Sequence, residues 1–296
     1  MTRILGVGLL TGWGAGVAAL PEDARHAAGQ RRIVPLARPA LTGDRFRRAT
    51  RESLLAVAAV DAALRDSALD RAAVAGQQTA LVYVTAAAYG ASNKGFIVAT
   101  AGSAVRAEGG LTEMPSGSVV ATSRSAVRAE GGLTEMPSGS ARPYFPYTAP
   151  SAVPAEVAIE YGLTGGYVIL VGGAAATVDA LWQASMLLAA GRTKLALVLA
   201  VETFEECADL WARGRWTTPR PLVEAAACAV LAGPGDDLAY GPGEASALET
   251  LATRRAGETL SCAPLVGLAL ARAAGLPRAR VTGHWRGRRA QIAVGT

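Results

Sequence analysis

Between residues 165 and 202 the chain carries two apolar runs, Tyr167 to Val171 and Leu195 to Val201, and the pair Gly172-Gly173 directly after the first. The intervening segment places Val178, Leu181, Trp182, Ser185, Met186 and Ala189 on one stripe at helical spacing. The stretch reads as strand, glycine turn, helix, strand, a βαβ unit whose strands run parallel because a helix must carry the chain back across the sheet. Neither run alternates apolar with polar residues, which predicts burial on both faces of a mainly parallel sheet. A ligand site is expected at the turn, where such sheets bind at the carboxyl ends of their strands.

The rest of the chain fits around this unit. With 296 residues, 51% of them hydrophobic, it is long enough to bury a large core. Ile4 to Thr11 predicts an opening strand; glycines at 6, 8, 12, 14 and 16 interrupt the N-terminal apolar run and argue against a signal peptide. Thr50 predicts the cap of a helix reaching Leu64, with Leu54, Val57, Ala58 and Leu64 on its inner face, and Thr79 to Val84 the next strand. Residues 98–118 recur at 120–140 with two differences, Ala101/Ser123 and Gly102/Arg124. Two copies make no solenoid, which leaves a recent duplication or an artefact of the recorded sequence, with a gating loop as the functional alternative. Ser151 and Gly162 bracket a short helix. Residues 233–245 have the composition of a linker, and a closing strand is expected from Trp285 to Val294.

Composition excludes several classes. No stretch has the eighteen or more uninterrupted apolar residues of a membrane span. Cys207, Cys228 and Cys262 show neither pairing nor metal-ligand spacing, which suits a reducing cytoplasm and no metal. The net charge is +5, and Arg272, Arg278, Arg280, Arg286, Arg288 and Arg289 crowd the C-terminal end. This cluster is either a solvated face or a docking surface for an acidic partner. Nucleic acid is not expected, since no reading motif accompanies the charge.

The central unit resembles the β-ketoacyl synthases of the thiolase fold, especially their chain-length-factor relatives. Counting nine from Gly165, and counting back from Asp179-Ala180-Leu181, both reach Ala174 as the family's nucleophile position, with Gly173 as the neighbouring alternative. The run 143–154 and Arg220-Pro221-Leu222-Val223-Glu224 are similar to further family segments, and Gly257 to Leu265 resembles the Gly-His turn, with Glu258 where a catalytic histidine would stand. The resemblance implies a layered α-β-α fold with a mainly parallel mixed sheet and a truncated second half. Residues 1–232 would form the N-terminal ketosynthase-like domain, 98–140 an insertion and 246–296 the remnant of the C-terminal half.

Cysteine nucleophile and both catalytic histidines are absent together; His26 and His284 lie outside the family motifs. Decarboxylative condensation needs a thiolate and polar donors for the enolate. The resemblance therefore implies a silent subunit that pairs with an active ketosynthase as a heterodimer and receives chains from an acyl carrier protein. It needs no cofactor and shapes the acyl tunnel in polyketide, polyene or fatty acid biosynthesis. Gly172, Gly173, Ala174, Ala175, Thr148 and Pro150 are the tunnel or interface candidates, and Arg286, Arg288 and Arg289 the carrier-docking candidates. The alternative is an acyltransferase, hydrolase or malonyl-carrier decarboxylase using Glu258, Ser261 or Cys262.

Overall fold

A computed structural model of the chain describes residues 2–47, 49–86, 149–204, 220–233 and 239–296. The duplicated segment 98–140, Thr148, the acids Glu205 and Glu206, and Cys207 lie outside the described residues. In chain order the elements are β1 (Arg3–Thr11), β2 (Gly14–Ala15), α1 (Ala24–Ala28), β3 (Ile33–Val34), α2 (Arg51–Asp66), α3 (Arg71–Val74), β4 (Thr79–Thr85), α4 (Ala152–Tyr161), β5 (Tyr167–Val171), α5 (Ala174–Ala189), β6 (Leu195–Glu202), β7 (Leu222–Val223), β8 (Ala225–Ala232), α6 (Ala247–Ala256), α7 (Ala263–Ala273), β9 (Arg278–Trp285) and β10 (Arg288–Gly295). No helix among the described residues is long and apolar enough to cross a membrane.

One mixed sheet organises the molecule in the order β5-β4-β6-β8-β1-β10-β9, with β2 added to β1. β4 runs parallel to both β5 and β6, and β8 is antiparallel to β6 and β1. Successive residues of the inner strands serve opposite layers. Tyr83, Leu197, Leu199 and Val201 pack under α2 and α4 with Leu55, Val60 and Val157. Val82, Val84, Val198 and Ala200 pack under α5 and α7 with Val178, Leu181, Leu265 and Leu268. This double burial is why β4, β6 and β8 show no alternation.

The edge strand β5 departs from that expectation. Tyr167 is 63% and Val171 58% exposed, because among the described residues only β4 pairs with β5. The helical stripe is also rotated: Val178, Leu181 and Ser185 are buried, whereas Trp182, Met186 and Ala189 face outward. The sheet curls round α5, which touches β4 and β6 on one side and β9 and β10 on the other. Two faces are covered instead of one, and Ala174 and Ala175 let Gly283 of β9 approach the helix closely.

The expected single closing strand is a hairpin. Arg286 at φ 48° and Gly287 at φ 81° turn β9 into β10 through two left-handed residues, the geometry of a tight two-residue connection. Asn-Gly or Asp-Gly would have signalled it, and Arg-Gly does not. β10 meets β1 at one pair, Arg3 with Gly295, because the two strands are staggered almost end to end. The free part of β10 is covered from the linker: Gly241 exchanges both main-chain bonds with Gln291, at 2.9 and 3.2 Å.

Candidate functional site

The glycine pair after β5 forms an elbow at the carboxyl ends of β4, β5 and β6. Gly172 N–H donates to the Thr85 carbonyl (2.9 Å), which fixes the exit of β5 against β4. Gly173 is the N-cap of α5 and Ala174 its first residue. Gly172, Gly173, Ala174 and Ala175 are all buried, and Pro150 is half-buried in the turn that leads into α4. At a helix start of this kind the first N–H groups have no partner within the helix and the dipole favours negative charge. In an acyl-transfer enzyme a nucleophile here would gain both a lowered pKa and an oxyanion site. Glycine and alanine provide neither thiol nor hydroxyl.

Above the elbow the turn 257–262 is held by main-chain bonds: Glu258 N–H donates to the Pro221 carbonyl and Val223 N–H to the Glu258 carbonyl, both at 2.9 Å. The half-buried Glu258 side chain accepts from Leu260 N–H at 3.2 Å. Burial pushes its carboxyl above the usual 4.5, against the opposing pull of the Leu260 N–H and the charges of Arg220 and His284.

Ser261 is fully buried, and its hydroxyl donates to the Glu202 carboxylate. The same Glu202 oxygen accepts from Ala86 N–H at 2.7 Å, so the pair ties the turn to the ends of β4 and β6. Thr177 on α5 donates to the Ser261 carbonyl at 2.6 Å and completes the brace. Cys262 is also fully buried, with its thiol 3.4 Å from the Ala225 carbonyl. Burial, followed by the Glu202 charge, pushes that thiol well above its usual range. The three groups expected to carry an alternative chemistry are thus a desolvated acid, a committed hydroxyl donor and a protonated thiol. Among the described residues no group of three or more His, Cys, Asp and Glu side chains is arranged to hold a metal.

Phe204, Leu222 and Leu260 close the site with a small core of their own, joined by Ile33, Ala86 and Trp285. Phe204 is positioned by Glu224, a fully buried carboxylate. It accepts from Phe204 N–H and Leu36 N–H, each at 2.8 Å, and pairs with the Arg51 guanidinium. Burial alone would raise the Glu224 carboxyl; the Arg51 hydrogen bond and charge and the two N–H donors outweigh it and hold it below the usual 4.5.

The arginines expected to dock a carrier are in different situations. Arg288 makes a two-pronged bond to Asp179 of α5, one arm at 2.7 Å, and Arg289 bonds Glu249 at 2.6 Å. Arg286 lies over the Trp285 ring, 5.5 Å from its centre. Sequence reasoning missed Trp285, the Ser261–Glu202 bond and the Glu224–Arg51 pair. Their partners are far apart in the chain and share no motif.

The fold is one found in proteins of known structure. The ishigamide ketosynthase/chain length factor aligns at a TM-score of 0.63 with 14% identity, over 99% of this chain and 98% of that one. The chain has the ketosynthase fold. A type II polyketide acyl-carrier protein in complex with its ketosynthase, bound to the hexaketide, gives a TM-score of 0.67 with 13% identity, over 100% of this chain and 99% of that one. A ketosynthase in complex with its chain length factor from Xenorhabdus doucetiae gives 0.54 with 15% identity, over 100% and 99%. No family model and no curated protein matches the sequence. Within the ketosynthase fold, Ala174 and Gly173 stand at the elbow, and Glu258 stands in the turn above it.

Proposed function

We propose that the chain is a non-catalytic ketosynthase-like subunit of chain-length-factor type. It pairs with an active β-ketoacyl synthase and shapes the acyl tunnel of the pair in cytoplasmic polyketide, polyene or specialised fatty acid biosynthesis. The observation that carries this reading is a fully built elbow without a nucleophile: strand, glycine pair and helix start are in place, and the side chains that would do the chemistry are glycine and alanine. Residues 246–296 then serve as a condensed second half, and of the three docking candidates Arg286 makes no ion pair among the described residues and would meet an acidic carrier.

The edge strand β5 supports the pairing. Its exposed Tyr167 and Val171, and its unpaired side, make an edge that natural proteins cover or charge, and among the described residues this one is neither. A partner's strand laid along β5 would complete it. The alternative acyltransferase, hydrolase or decarboxylase chemistry finds little support in a buried hydroxyl donor at Ser261 and a protonated thiol at Cys262.

Co-expression with the ketosynthase encoded nearest to this chain, followed by native mass determination, tests the proposal. A one-to-one complex, lost on Val171→Lys, is expected. A monomer or a homodimer in the presence of that ketosynthase would refute it.

A further inference from the structure

Trp285 ends β9 with its ring turned onto the elbow. A Cβ added to Gly173 would lie 2.5 Å from Cδ2 and 3.0 Å from Cγ of the indole, so the ring stands where any side chain at the N-cap would project. Two residues earlier on the same face of β9, Gly283 rests on the first turn of α5. A Cβ there would be 2.5 Å from the Ala174 carbonyl carbon and 2.9 Å from Ala175 N. The indole also packs against the small core of Phe204, Leu222 and Leu260 and against the main core. Arg288 holds the hairpin down through Asp179, and Arg286 covers the ring.

This arrangement has the attributes of a bound ligand. A flat apolar group sits at a helix start, against aromatic and aliphatic neighbours, beside the strand ends where external ligands ordinarily bind in open α/β sheets. Here the group belongs to the chain itself. Tethering keeps its effective concentration high, so an external acyl or aryl group would have to displace it. We infer that Trp285 is an internal ligand, filling a preformed site for a planar apolar guest at the start of α5 and keeping that site closed. The inference concerns the isolated chain and holds whether or not the chain pairs with a ketosynthase.

Truncation of the ring tests it. Apolar cavities of this kind remain dry and take up aromatic molecules of matching shape. Trp285→Ala is expected to lower the Tm by several degrees, and millimolar indole to restore part of that loss while leaving the wild-type Tm unchanged. Equal stabilisation of both proteins by indole, or of neither, would overturn the inference. A second measurement does not depend on that variant folding. In 5-fluorotryptophan-labelled protein the Trp285 ¹⁹F resonance, assigned through Trp285→Phe, is expected to move towards the solvent-exposed position in Gly173→Ala, because the new methyl takes the ring's place. A Trp285 resonance unmoved by Gly173→Ala would equally overturn it.

Discussion

Replacing Arg51 with Met isolates the term that positions Phe204 over the elbow. Glu224 is 0% exposed and Arg51 supplies its positive partner. Removing one partner of a buried pair costs about 3–5 kcal/mol. Leu36 and Phe204 N–H remain as donors, so the lower end, about 3 kcal/mol, is expected at neutral pH. A domain of ordinary stability, about 5–15 kcal/mol, would still fold.

The pH dependence gives the sharper test. In the wild type the Glu224 carboxyl is held below 4.5; its contribution is fully present above that pH and is lost as pH falls through the folded value. In Arg51→Met, burial acts without the guanidinium to oppose it and moves the folded value upward. The carboxylate then destabilises above 4.5 and is relieved as pH falls. The stability gap between the two proteins is therefore widest at neutral pH and narrows towards the acid side. Urea unfolding followed by tryptophan fluorescence between about pH 5 and pH 8 measures it. A gap that does not change with pH, or one under about 1 kcal/mol, as for an exposed ion pair, would refute the reasoning.

Gly283→Ala should destabilise by about 1–3 kcal/mol from steric conflict alone, since the obstructing atoms are the backbone of Ala174 and Ala175 and Gly283 has no left-handed φ; denaturant midpoints check this. Thr79→Val should stabilise by about 1 kcal/mol, because the buried Thr79 hydroxyl has no hydrogen-bond partner and valine fills the same shape in a strand. Native protein should show no reaction of Cys228 or Cys262 with a thiol reagent until denaturant is added. Both are fully buried, and burial raises both thiols; prompt labelling of either would contradict the structure.

How much of this was legible beforehand divides along physical lines. The β5–α5–β6 unit, the Thr50 cap of α2 and the short helix α4 follow from local signals, namely runs of apolar residues, caps and glycine breaks, and all lie within a residue or a few of where the sequence places them. The outward turn of Trp182 and Met186 was hidden because it depends on β9 and β10 covering a second face of α5. The exposure of Tyr167 depends on where β5 sits in the sheet, which its own residues do not encode. At the site, the glycine elbow could be counted from sequence, whereas Trp285 reaches Gly173 only through the curl of the sheet.

That curl has a dynamic consequence. The β9–β10 hairpin is joined to the rest of the sheet by the pair Arg3–Gly295, and it is also held by core and helix contacts, the Gly241 bridge, the Asp179 bond to Arg288 and the bonds of Thr282 and Arg289 to Glu249. Local turn closure forms the hairpin cheaply, while the Arg3–Gly295 pairing must close nearly the whole chain. The hairpin is therefore expected to open as a unit, its amide protons exchanging together and ahead of those in β6 and β8 when followed by native-state hydrogen exchange. An opening of that kind would lift Trp285 from Gly173, so loss of protection in the hairpin amides would also report exposure of the elbow to solvent.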